Sequence, residues 1–335
     1  MTLEIETTVD GLRQGKRLVL AKTITLIESS LSDHQSTAQA ILNKLLPHTG
    51  KAIRLGITGV PGVGKSSFIE SLGMMLIEKG LRVAVLAVDP SSSRSGGSIL
   101  ADKTRMKRLS AESRAFIRPS PAGGTLGGVA RKTRETMLIC EASGFDVLIV
   151  ETVGIGQSEI TVASMVDFFL VLLLAGAGDE IQGIKKGFLE LADALAVNKA
   201  DGDNRERAKI AQKDYETALH LLRPASPNWT PPVLMCSARE GTGIEAIWEV
   251  VQRQRDVLTA SGELMLRRKA QSLAWMWSLV EEGLKDRFHH HPEVQEQLPQ
   301  LVQQVENGQL SPTAAACKLL SFLTPKIDPA ISSDT

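Results

Sequence analysis

The chain has 335 residues, 38 of them Lys or Arg and 38 Asp or Glu, with 43% hydrophobic and 23% charged residues. This profile excludes fibrous, collagenous and wholly disordered chains, and at roughly 100 to 200 residues per domain the length provides for about two units, or one large domain with attachments. A formal net charge of zero removes the global electrostatic case for nucleic acid or an anionic membrane as partner.

Met1 to Asp10 carries Glu4, Glu6 and Asp10 and lacks the basic-then-apolar order of a secretory signal. Cys140, Cys236 and Cys317 are far apart, odd in number and never spaced Cys-x-x-Cys, which argues against a disulfide framework or a thiolate metal site. The most apolar run, Phe168 to Ala177, is about half the roughly 20 residues a membrane-spanning helix needs. A cytoplasmic protein with no membrane segment is the expectation.

Residues 1–48 read as an N-terminal helical extension: Leu20, Ile24 and Ile27, then Ile41 and Leu45, fall at helical spacing, with a break near Ser30 to Ser36. After Pro47 and Gly50 the pattern changes, and residues 49–258 form the second division. Short β-rich runs at Ala52–Ile57, Val83–Val88, Val147–Val150, Phe168–Leu174, Ala194–Val197 and Val233–Met235 alternate with helix-sized intervals. Such runs, apolar on both faces, predict an α/β fold with a mostly parallel central sheet flanked by helices. Ser91–Ser98 and Pro119–Gly128 interrupt the rhythm after predicted strands, as loops at the ligand edge of such a sheet do. Residues 259–335 lack strand signals. Leu266, Ala270, Leu273, Trp277, Val280, Leu284 and Phe288 form one stripe on a long helix that needs a partner surface, and helices around Glu293–Val305 and Pro312–Leu323 follow.

Gly59-Val60-Pro61-Gly62-Val63-Gly64-Lys65-Ser66 fits the G-x-x-x-x-G-K-[ST] phosphate-loop pattern at every fixed position and lies between a predicted strand and a predicted helix. Its glycines let backbone N–H groups turn toward a β-phosphate, where the helix N-terminus adds positive potential. Lys65 can reach the β- and γ-phosphates and Ser66 can ligate Mg²⁺, so Gly59, Gly62, Val63, Gly64, Lys65, Ser66 and Ser67 are the candidate phosphate contacts. Ala194–Val197 delivers Asn198-Lys199-Ala200-Asp201 at a strand end. A carboxylate at Asp201 can accept from the ring N–H and the exocyclic amine of guanine, a donor pair adenine lacks; Lys199 can lay its stem over the base and Asn198 can brace neighbouring loops. Cys236-Ser237-Ala238 follows the next strand, and backbone N–H groups at Ser237 and Ala238 are candidates for the guanine carbonyl. GTP is therefore favoured over ATP.

Val147–Val150 ends in Glu151-Thr152-Val153-Gly154, where Glu151 can orient a water on Mg²⁺ and Gly154 lets the backbone swing toward a γ-phosphate. Asp89, at the end of another strand, and Asp102 are candidates for the metal's surroundings or for positioning the attacking water, with loop capping as the alternative. Gln157 can orient water, although sequence fixes no geometry for it. Gly178 to Gly187 is polar and glycine-punctuated, either a solvated loop or a nucleotide-responsive one.

Asp89-Pro90-Ser91-Ser92, Gly97-Ser98-Ile99-Leu100, Asp102-Lys103-Thr104-Arg105-Met106, Glu151-Thr152-Val153-Gly154-Ile155-Gly156-Gln157-Ser158-Glu159 and Gln182-Gly183-Ile184-Lys185-Lys186-Gly187 closely resemble the motifs of the MeaB/ArgK family of P-loop GTPases. That group includes the methylmalonic aciduria type A proteins. The resemblance implies a GTPase core with helical extensions at both ends, the C-terminal arm mediating homodimerisation. It also implies a chaperone for adenosylcobalamin-dependent acyl-CoA mutases, methylmalonyl-CoA mutase above all, that uses GTP to gate cofactor loading and to protect or reactivate the enzyme. Carried onto this chain, Lys65 and Ser66 take the phosphate-loop roles, and Asp89, Asp102 and Glu151 match the Mg²⁺ and water-positioning acids. Asp179, Gln182 and Lys185 match a third switch loop that relays the nucleotide state to the mutase. Ala101 departs from the glycine expected before the aspartate, which removes no ligand.

Two other functions compete. One is a kinase or ATPase tied to lysine/arginine/ornithine transport, which fits poorly with a chain that shows no export signal. The other is a metal-insertion GTPase, for which His289-His290-His291 is the one favourable feature; three adjacent histidines ending a helix read more simply as a solvated cap. The cations Lys103, Arg105, Lys107, Arg108, Arg114 and Arg118 lack the run of aromatics that base stacking needs, so no nucleic-acid partner is expected.

Overall fold

Every strand expected from sequence forms, and a seventh joins them. A computed structural model describes residues 2–88, 106–119, 126–152, 158–175, 189–220 and 226–323. The strands are β1 (Ile53–Gly59), β2 (Val83–Val88), β3 (Ala115–Arg118), β4 (Val147–Thr152), β5 (Phe168–Leu174), β6 (Ala194–Asn198) and β7 (Val233–Met235). They make one sheet in the order β3-β2-β4-β1-β5-β6-β7, and each described pairing is parallel. Leu55 of β1 pairs with Ile149 on one side and Phe168 on the other. The connection after β1 runs to β2 on one side and that after the neighbouring β5 runs to β6 on the other, which opens a crevice outside the carboxyl ends of the central strands. β3 was not among the expected strands: it has four residues, follows Arg114 and ends in Arg118, and forms the sheet edge, where pairing rather than an apolar run defines it.

The β period of two divides the strands between two cores. Val147 and Ile149 face one layer with Leu55, Ile57, Leu170 and Leu172, while Leu148 and Val150 face the other with Phe169, Val171 and Leu195. The first layer is covered by α4 (Lys65–Glu78), α5 (Lys107–Ala111) and α9 (Ile244–Ala260), through Phe68, Leu72, Leu109, Ile247 and Trp248. The second is covered by α6 (Leu126–Ala142), α7 (Ser158–Ala163) and α8 (Arg205–His220).

The N-terminal segment folds as α1 (Thr2–Arg13), α2 (Arg17–Glu28) and α3 (Ser32–Leu45). These helices are part of the second core, because Leu12, Leu20, Ile24 and Leu45 are fully buried in the cluster that also holds Met137, Ile139 and Cys140 of α6. Each such burial contributes about 1.5 to 3 kcal/mol. The Gln39 amide donates to Glu135 of α6 at 2.9 Å, and Arg118 pairs with Glu28 at the end of α2.

By compactness the chain divides into residues 1–268 and 269–335, a division that falls inside α10 (Glu263–His289). α10 has no buried residue, and its stripe is open: Leu273 and Trp277 are each 59% exposed and Leu284 57%. In the second unit α11 (Pro292–Glu306) packs on α12 (Pro312–Ser321), with Val294, Leu301 and Ala315 buried. Among the described residues no helix is long and apolar enough to cross a membrane.

Candidate functional site

The carboxyl ends of β1, β4, β6 and β7 carry the described site residues. β1 passes through the turn Val60–Gly64 into α4, whose first residue is Lys65. Gly62 and Gly64 have φ of 81° and 96°, a left-handed backbone that glycine adopts without strain. At Gly59 (φ 151°) a Cβ would lie 2.4 Å from the Leu172 carbonyl oxygen, so only glycine lets the loop leave the sheet here. No side chain caps α4 and its first turn has no acid, which leaves backbone N–H groups for an anion. The Lys65 ammonium donates to the carbonyls of Gly59 at 2.7 Å and Val60 at 3.3 Å, lying back along its own loop. Val63 is buried beneath the turn, and Ser67 is exposed.

Beside this loop the Ser66 hydroxyl donates to Glu151 Oε1 at 3.2 Å. Glu151 is 9% exposed at the end of β4, where Thr152 also shares a 2.7 Å hydrogen bond with Thr58 of β1. A hydroxyl and a carboxylate converging on one point are hard oxygen donors of the kind Mg²⁺ takes. The register Ala87↔Glu151 and Val88↔Thr152 brings the end of β2 alongside. Asp89, Asp102, Gly154, Gln157, Asp179, Gln182 and Lys185 lie outside the described residues.

The corner at the ends of β6 and β7 is built on Asn198, which is 1% exposed. Its amide donates to the Val63 carbonyl at 2.8 Å, and its Oδ1 accepts from the Ala238 N–H at 3.1 Å and from the Cys236 thiol at 3.6 Å. Burial pushes that thiol up to about 12, so it stays protonated and able to donate. Lys199 has a φ of 60°, the one positive value outside glycine among the described residues, and its ammonium reaches the Gly62 carbonyl at 2.7 Å. Asp201 accepts from the Ser237 hydroxyl, which in turn accepts from the Glu240 N–H at 3.2 Å. The N–H groups offered by the sequence to a guanine carbonyl are both engaged within the protein, that of Ser237 with Thr242 O at 2.9 Å and that of Ala238 with Asn198.

Two features escaped the sequence reading. Ser71, on α4, donates its hydroxyl to the Ala238 carbonyl at 2.7 Å. At the opposite edge of the sheet, an aspartate precedes each of three strands and accepts from a backbone N–H at the start of an adjacent strand or beside it: Asp146 from Arg82, Asp167 from Arg54 and Asp193 from Phe169. The sequence carries that signal, since Asp146, Asp167 and Asp193 each stand one residue before an apolar run. Two of them also anchor the start of α10. Arg268 makes a two-pronged pair with Asp167 at 2.6 and 2.7 Å, and Arg267 lies 3.3 Å from Asp193, whose carboxyl burial raises to about 6 against the lowering effect of Arg267.

Residues 20–293 match the family model described as methylmalonyl Co-A mutase-associated GTPase MeaB. The chain is 48% identical to the GTPase ArgK of Escherichia coli over 93% of its own length and 94% of that protein. It is 47% identical to the mitochondrial methylmalonic aciduria type A homolog of Mus musculus, over 92% of this chain and 77% of that one. A crystal structure named LAO/AO transport system kinase superposes with a TM-score of 0.78 at 42% identity, covering 96% of this chain and 98% of that one. A parallel sheet with a phosphate loop at its central strand, read with these likenesses, makes the chain a P-loop GTPase of the MeaB family.

Proposed function

We propose that this GTPase binds GTP with Mg²⁺ and uses its hydrolysis to gate cofactor loading into an adenosylcobalamin-dependent acyl-CoA mutase, methylmalonyl-CoA mutase in the first instance, and to protect or reactivate it. The observation that carries the nucleotide part is the Asn198 bridge: one buried amide ties the phosphate loop at Val63 to the base loop at Ala238. The two ends of a nucleotide would thus be gripped by one braced unit. Asp201 accepts the guanine N–H pair, Lys199 covers the base, and the N–H groups of the phosphate loop with Lys65 hold the phosphates.

The donor set at Ser66 and Glu151 fits Mg²⁺, with Asp89 and Asp102 completing its surroundings or aligning the attacking water. Bound there, the metal supplies neutralisation of charge on the phosphate oxygens. Gly154 and Gln157 belong to the switch that senses the γ-phosphate, and Asp179, Gln182 and Lys185 to the one that faces the mutase. The family description and the methylmalonic aciduria type A relative support the mutase as partner. The open stripe on α10 supports a homodimer, since an apolar face of that length needs a second copy to cover it. Cytoplasmic location fits such a partner.

Steady-state hydrolysis of GTP and ATP, with and without a methylmalonyl-CoA mutase from the same source, tests the reading. GTP-selective turnover that rises on the order of 10-fold or more with the mutase is expected, if the partner completes the site. Turnover indifferent to the mutase removes that partner. The relative named a transport kinase favours a second reading, which predicts phosphate transferred to a protein side chain instead of released to water.

A further inference from the structure

The base loop is held by a second fastening besides Asn198. Ala238 is 9% exposed, and both peptide groups that flank its Cα are fixed from different elements. The peptide before it donates its N–H to Asn198 Oδ1 at 3.1 Å, from the end of β6. The peptide after it presents its carbonyl to the Ser71 hydroxyl at 2.7 Å, from α4. Ser71 lies five positions beyond Ser66, about 7 to 8 Å further along the same helix, and so too far along to reach the phosphates through the helix start. Its hydroxyl therefore connects the helix that opens at the phosphate loop directly to the loop beside the base.

The remaining bonds described for this loop stay within it or run to the end of β6 and the residues just after it. Ser237 pairs with Asp201 and Thr242, and the Cys236 carbonyl accepts from the Ala200 N–H at 3.0 Å. None of these ties the loop to α4. Without Ser71, the carbonyl of Ala238 loses its protein donor and the 238–239 peptide is free to rotate, while Asn198 continues to hold the peptide before it. A partner-less carbonyl this close to burial is costly, and the loop relieves the cost by turning that peptide toward water.

We propose that Ser71 is a positioning residue for the base. By holding the Ala238 carbonyl it fixes the loop that sets guanine preference, without touching the nucleotide. This rests on the assignment of residues 198–201 and 236–238 to the base. Ser71 acts on discrimination between bases, and the phosphate grip formed by Gly59–Ser66 is independent of it.

The test uses the full chain with Mg²⁺ and fluorescent GDP and ADP, comparing wild type, Ser71→Ala, Ser71→Thr and Asp201→Asn. Ser71→Ala is expected to weaken GDP binding about 3- to 10-fold, the span of one lost hydrogen bond, and to leave ADP binding unchanged, so that the GDP-to-ADP preference narrows by that factor. Ser71→Thr, which keeps the hydroxyl, restores the preference. Equal weakening of both nucleotides, or no rescue by threonine, would mean that Ser71 only stabilises the fold and overturns the proposal. An unchanged preference in Ser71→Ala with a collapsed one in Asp201→Asn overturns it while the base site stands. An unchanged preference in Asp201→Asn overturns the base-site assignment and the proposal with it.

Discussion

The two edges of the central sheet are made by the same strands and solve different problems. At the carboxyl edge, Lys65 and Lys199 donate to loop carbonyls and Asp201 accepts from a hydroxyl, and all three keep partial or full access to solvent. At the amino edge, the buried carboxylates Asp167, Asp193 and Glu141 each accept several bonds. Asp167 accepts from the Arg54 N–H and from two nitrogens of Arg268, and Arg268 also donates to the carbonyls of Gly50 and Ala52 at 2.6 and 2.8 Å. Glu141, at the end of α6, accepts from the Ala52 N–H and from Arg54, each at 2.8 Å. The contrast separates a surface that must exchange partners with a ligand from one that must never let go. Bonds between buried opposite charges are strong to break, whereas bonds from a partly exposed ammonium to a loop carbonyl can be traded for contacts to a phosphate.

The largest effect is expected where the locked edge is broken. Asp167→Ala deprives Arg268 of the carboxylate it pairs with, leaving it only backbone carbonyls among the acceptors described, and removes the side-chain acceptor of the Arg54 N–H, so a loss of about 3 to 5 kcal/mol in urea unfolding should follow. A loss below about 1 kcal/mol would show that this edge is no stronger than the other. Lys65→Ala, at the open edge, should lower GTP hydrolysis on the order of 100-fold with an unchanged melting temperature. Wild-type turnover in that variant contradicts the phosphate-site assignment.

The pH dependence of stability sharpens the same contrast. Burial holds the Asp193 carboxyl at about 6, above its ordinary 3.8, so the folded chain binds that proton more tightly than the unfolded chain does. Its contribution to stability is full below about pH 4 and is lost as pH rises through about 6. Asp193→Asn removes this descent, and the difference in unfolding free energy between wild type and variant should change by about 1 to 2 kcal/mol between pH 4.5 and 7.5. A difference that stays flat across that range would mean Arg267 keeps the carboxylate charged throughout. The smallest effect is in selectivity: Asp201→Asn should reduce the preference for GTP over ATP by about 10-fold in competition binding, the size of one good hydrogen-bonded contact to a charged group.

The open edge was the legible one. Gly59–Ser66 and Asn198–Asp201 are each contiguous in the chain and stand at the end of an apolar run, so their places at the ends of β1 and β6 could be read from spacing alone. The connections between them were not legible to the same degree. Asn198 was expected to brace its neighbours, but its partners Val63 and Ala238 are 135 and 40 residues away, and only folding chooses them. Ser71 reads as an ordinary helix serine, because its acceptor lies 167 residues downstream. β3 was missed because edge position, not composition, makes Ala115–Arg118 a strand. Two of the N-terminal helices, α2 and α3, were legible in their period, while α1 was not, and the incorporation of all three into the core under α6 depended on which faces meet.

Burial of two of the three thiols has a practical consequence for reagent chemistry. Cys140 and Cys236 are buried, and burial pushes both up to about 12, so at neutral pH almost none of either is present as the reactive thiolate. Cys317, on α12, is exposed. A maleimide should therefore modify the native chain at one position, distant in sequence from the nucleotide loops. The natural sequence thus already carries a single attachment point for a spectroscopic reporter on its C-terminal unit, with no cysteine to be removed first.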